Sequence, residues 1–144
     1  MNQMALKQVV SSLQQDAELL QQLHPMLQKQ YVLMSLRQSE ALELLNQKAA
    51  MLLEQLSRNS KERQQAMAIL QLQTDEQGFS RLLALLPEKI RTASQHLLAK
   101  VQRHTELCQQ LNQKNGELLA NQRRIMQKLM GMDSKTSYPD MPLG

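Results

Sequence analysis

Between Val10 and Met34 the seam residues Val10, Leu13, Ala17, Leu20, His24, Leu27, Tyr31 and Met34 recur at alternating three- and four-residue steps. That is a heptad seam, and it confines the segment to one long amphipathic helix, expected over about residues 3–37. At about 1.5 Å per residue such a helix is on the order of 50 Å long and cannot bury its stripe against itself. Pro25 sits inside it, lacking an amide hydrogen and crowding the preceding turn. The seam keeps its phase through Leu27, Tyr31 and Met34, so a kink near His24 is expected rather than a break.

The rest of the chain repeats the theme. Arg37-Gln38-Ser39 reads as a tight connection with Ser39 as N-cap of a second helix over about residues 40–72. Leu42, Leu45, Ala49, Leu52, Leu53 and Leu56 mark its apolar face, and the polar run 57–63 reads as a solvated middle. Thr74 to Gly78 reads as a loop, followed by a short apolar helical turn, Phe79 to Leu86. Pro87 suits the first position of a last helix, with Glu88 favourable in its first turn and Gly131 as its stop. The expected fold is all-α: an elongated antiparallel bundle of three long helices plus a short helical turn. The bundle domain covers residues 1–131, and a turn-rich, mostly polar tail covers 132–144.

Composition supports this and narrows the function. Hydrophobic residues are 42% of the 144, but aromatics only 2%, with no Trp. A core of Leu, Met and Ala suits seams between helices better than a sheet. The net charge is +4, from 17 basic and 13 acidic residues of interspersed sign, without the basic face or stacking aromatics that nucleic-acid binding uses. A single Cys excludes an internal disulfide and fits a reducing compartment. The N-terminus lacks a signal-peptide core, and the longest apolar run, Leu82 to Leu86, is far short of the roughly 20 residues of a membrane span. A cytoplasmic protein without membrane insertion is expected.

The constellations that could carry chemistry are thin. His104 and Cys108 lie four apart, and His96 lies two turns earlier, yet no further ligand stands at metal-site spacing. No phosphate-binding loop or nucleophile elbow occurs, and Glu40 and Glu43 read as a solvated pair. Neither an enzyme, a metal nor a cofactor is expected. The basic residues Arg123, Arg124 and Lys128 either complement the dipole of the last helix or steer an acidic partner. Methionine is abundant, at 10 residues, and Met126, Met130 and Met132 gather where the last helix ends. They suit either core packing or an adaptable surface for a partner helix.

The most distinctive stretch is Leu111-Asn112-Gln113-Lys114-Asn115-Gly116-Glu117-Leu118-Leu119. Gly116 inside a helix costs about 1 kcal/mol against Ala, and Asn115 falls in the seam, where a polar residue fixes register. The alternatives are close helix approach at Gly116 with the Asn115 amide bonded across the interface, or an ordinary tolerated glycine. This motif, carried by Leu111, Asn112, Asn115 and Gly116 late in a long C-terminal helix, resembles the signature of the FlgN family of flagellar export chaperones. The resemblance extends over essentially the whole chain.

What that resemblance implies is concrete. Family members bind the hook-associated proteins of the hook–filament junction, prevent their premature assembly in the cytosol, and deliver them to the flagellar type III export gate. The contact lies in the chaperone's C-terminal part, which here points to Leu118, Leu119, Ile125, Met126, Leu129 and Met130. Family tails carry a gate-docking Tyr followed by Gly. Tyr138 is the matching residue, although it stands between Ser137 and Pro139. It is either a gate contact or a tail tyrosine with none. Two other readings stay open: a structural or adaptor coiled-coil protein, whose heptad seam permits a homodimer, or a sibling chaperone for another flagellar client.

Overall fold

A computed structural model describes residues 3–131. Four helices follow in order: α1 (Gln3–Ser35), α2 (Ser39–Ile69), α3 (Glu76–Leu85) and α4 (Glu88–Leu129). The described residues are all-helical in their regular structure. α1 packs along both α2 and α4, and α3 packs against α4.

Helix direction follows from the side-chain bonds. Ser12, Asp16 and Gln30 of α1 bond to Arg63, Asn59 and Asn46 of α2 in descending order, so α2 runs antiparallel to α1. Asn115 of α4 reaches Leu27 and Gln30, and Gln122, seven residues on, reaches Met34. Hence α4 runs parallel to α1, and the bundle is up-down-up.

Because α1 has a neighbour on each side, it buries more than one stripe. Leu13, Ala17, Leu20, Leu27 and Met34 of the heptad seam are buried, whereas Val10, His24 and Tyr31 lie half-buried at its edge. Beside them runs a second stripe seven residues apart, Val9, Asp16, Leu23 and Gln30, also buried. Its polar members, Asp16 and Gln30, both bond to α2. Helix α1 continues through Pro25 without a break. The proline lies on the exposed face, where water can satisfy the carbonyl it leaves unpaired.

Besides the helix ends, four expectations need correction. The polar middle of α2 is not simply solvated: Asn59 is 1% exposed, and Arg63 forms a 2.8 Å ion pair with buried Asp16. Asn59 donates to Asp16 at 3.0 Å, so the polar run meets a polar patch on α1. Second, the short helical turn is a full ten-residue helix, α3, which takes in Glu76 to Gly78 of the expected loop. The Asp75 carboxylate caps it, accepting the Gly78 amide at 2.7 Å. A Cβ at Gly78 would collide with the Gln73 carbonyl, so only glycine lets the chain fold back there. Third, Ser39 is the first residue of α2, not its cap. Gln38 holds the cap position without a side-chain bond. Fourth, Pro87 is the N-cap of α4 rather than its first helical residue.

The expected ends near 37 and 72 give way to Ser35 and Ile69 because both helices close in Schellman motifs. Gln38 N–H donates to the Leu33 carbonyl, and Leu72 N–H to that of Met67. The left-handed residue each motif needs is Arg37 (φ 55°) or Gln71 (φ 59°) instead of glycine. Gly131 (φ 68°) takes the same role after α4, just past its last helical residue, Leu129. At the α3–α4 corner, Arg91 folds back so that its Nε donates to the Leu83 carbonyl and its Nη2 to that of Leu86. A cation there meets the negative end of α3.

Candidate functional site: the projecting end of the last helix

Register decides what the end of α4 can do. Asn115 is fully buried and its Nδ2 donates to the Leu27 carbonyl (2.9 Å) and to Gln30 Oε1 (2.7 Å). Gln30 Nε2 in turn donates to Asn46 Oδ1 at 2.7 Å, so one polar chain ties α4, α1 and α2 together. The Asn115 amide is thus bonded across the interface. Two turns further on, Gln122 Nε2 donates to the Met34 carbonyl at 2.8 Å, and Lys114 lies 4.3 Å from the centroid of the Tyr31 ring.

This register brings the last residue of α1, Ser35, level with Arg123. Residues 124–129 of α4 therefore run past the end of α1, by about 9 Å at about 1.5 Å per residue. Past that point α4 has lost its main packing partner, and its side chains show it. Ile125 is 51% exposed, Met126 44%, Leu129 75% and Met130 61%. Leu118 and Leu119, below the end of α1, are half-buried. At the same end of the bundle Val32 and Leu36 are also exposed. Apolar side chains in this number at one end form a surface suited to a partner. Tyr138 lies outside the described residues.

The motif residues serve the frame. Leu111 packs against the core, Asn112 is exposed, Asn115 is the buried lock, and Gly116 is half-buried beside it. Of the basic residues, Arg124 donates to Asn121 Oδ1 at 3.1 Å, and Arg124 and Lys128 are exposed. The partners that sequence reasoning missed are Gln30, Asn46 and Gln122. A glutamine outside the apolar seam gives no signal until the facing helix is known.

Over residues 1–132 the chain matches the family model described as FlgN protein. The chain belongs to the FlgN family. No curated protein and no solved structure matches it. FlgN proteins are flagellar export chaperones, and neither the family nor this site suggests catalysis. Among the described residues no group of three or more His, Cys, Asp or Glu could hold a metal ion. Burial pushes the Cys108 thiol up, away from the thiolate that a metal would require. Nor is any helix among the described residues long and apolar enough to cross a membrane.

Proposed function

We propose that this FlgN protein is a cytoplasmic chaperone for hook-associated proteins, the components of the hook–filament junction, and that it carries them to the flagellar type III export gate. The observation behind this reading is the apolar end of α4, left uncovered where α1 stops. The mechanism is helix-in-groove recognition. An apolar stripe on the client, which would otherwise pair with another client molecule, lies instead against Ile125, Met126, Leu129 and Met130. Leu118 and Leu119 support it from below. Capture by burial alone explains how the client can be held without a nucleotide, metal or other cofactor. It also explains the choice of methionine, whose unbranched, polarizable side chain adapts to a facing helix without one fixed packing.

The four projecting side chains are too few to bury the roughly 1,200–2,000 Å² of a stable complex. The client is therefore expected to extend onto Val32 and Leu36 as well. Tyr138 is proposed as the contact with the export gate.

The reading is tested by calorimetry with purified hook–filament junction proteins. Ile125→Glu with Leu129→Glu should weaken binding at least about a hundredfold, since each places a charge in a dehydrated contact. Truncation after Leu119 should abolish binding while most helicity remains. Unchanged affinity in both variants would refute the assignment of the contact.

A further inference from the structure

At the other end of the bundle a groove of about 490 Å³ opens between the start of α1 and the α3–α4 corner. One wall is a single stripe of α1: Gln3, Leu6, Lys7, Val10, Ser11 and Gln14. The other is Leu85, Leu86, Pro87 and Ile90. Leu85 and Ile90 are 40% and 44% exposed, so the groove is dressed with apolar surface that the bundle leaves open.

Its shape and charge say what fits. The α1 wall runs for three helical turns, about 16 Å, and with the α3–α4 corner facing it makes a trough along which another helix can lie. Among the described residues lining it, the one charged side chain is Lys7, which is exposed at the rim. Residues 132–144 cannot reach it. From residue 131 to Ile90 is about 60 Å along α4 at 1.5 Å per residue, and residues 132–144 span at most about 45 Å fully extended.

We infer that this groove is a second docking site, separate from the projecting end of α4, and that it takes an amphipathic helix of another protein carrying an acidic residue opposite Lys7. The two sites are about 50 Å apart along α4, so both can be filled at once. The inference stands whether or not the α4 end binds the client.

Two synthetic helical peptides of about three turns test it, with the same leucine stripe but glutamate flanks in one and lysine flanks in the other. Binding to the full chain is followed by fluorescence anisotropy at low salt, where surface charge is least screened. The glutamate peptide should bind about tenfold tighter than the lysine peptide. Lys7→Glu should reverse that preference, and Leu85→Lys should abolish binding of the glutamate peptide while circular dichroism remains unchanged. Substituting Ile125 and Leu129 should leave it intact. Equal affinity for the two peptides, binding indifferent to Leu85→Lys, or a sedimentation profile showing the groove closed by a second copy would overturn the inference.

Discussion

Replacing Asp16 by alanine probes how the bundle is held together. The Asp16 side chain is 6% exposed and accepts from Arg63 at 2.8 Å and from Asn59 at 3.0 Å. Asp16→Ala strands a guanidinium that is only 15% exposed and leaves a buried amide short of its acceptor. Breaking a buried pair from one side costs about 3–5 kcal/mol. Arg63 keeps a second bond, to Ser12 Oγ at 3.2 Å, which places the loss near the low end, about 3 kcal/mol. For a bundle of this size that is a fall in Tm of about 10–15 °C by circular dichroism. The same reasoning makes an opposite forecast for wholesale replacement. Asp16→Leu with Asn59→Leu and Arg63→Met removes the ion pair and its buried amide together, leaving only the half-buried Gln55 amide short of its Asn59 acceptor, and should leave stability unchanged or raise it by about 1–4 kcal/mol. If Asp16→Ala stayed within about 0.5 kcal/mol of the parent, the pair would be behaving as an ordinary surface bridge, and the burial argument would fail.

Other outcomes follow from particular residues. Arg37→Gly should stabilise the chain by up to about 1 kcal/mol in urea denaturation, because glycine adopts the left-handed conformation held there by arginine. Gly78→Ala should destabilise it, since the added Cβ meets the Gln73 carbonyl; a neutral result would show that the turn before α3 gives way freely. His104 has a buried Nδ1 without a hydrogen-bond partner, and burial, with Arg103, Lys100 and His24 nearby, holds its pKa below the usual 6.5. The folded state then binds fewer protons than the unfolded one, so stability should be full above about pH 6.5 and fall as the pH drops below it. His104→Gln should flatten that part of a urea-midpoint profile, and an unaltered slope would assign it to other groups.

Much of this fold can be read from spacing alone, because the heptad seam of α1 is long enough to leave no competing period. What escaped has a common physical cause. Asp16, Asn59 and Arg63 pair across α1 and α2, Gln30 bonds to Asn46 and Asn115 across three helices, and within any one helix each of these polar residues reads as a solvated position. The second stripe of α1 went unseen for the same reason, since Asp16 and Gln30 interrupt Val9 and Leu23. Spacing alone makes α3 too short, because Gly78 looks like loop punctuation until the Asp75 cap is known. At the candidate site, the apolar character of Ile125, Met126, Leu129 and Met130 was legible. Their exposure was not, because it depends on where α1 ends relative to α4, and that offset is set by the bonds of Asn115 and Gln122.

Hydrogen exchange on the complex with a purified hook–filament junction protein tests the account most directly. Client binding should slow exchange in the last turns of α4, residues 118–131, and at the end of α1, with little change in the middle of α2. A client that bound tightly yet left the amides of α4 beyond Arg123 exchanging at their free rate would contradict it.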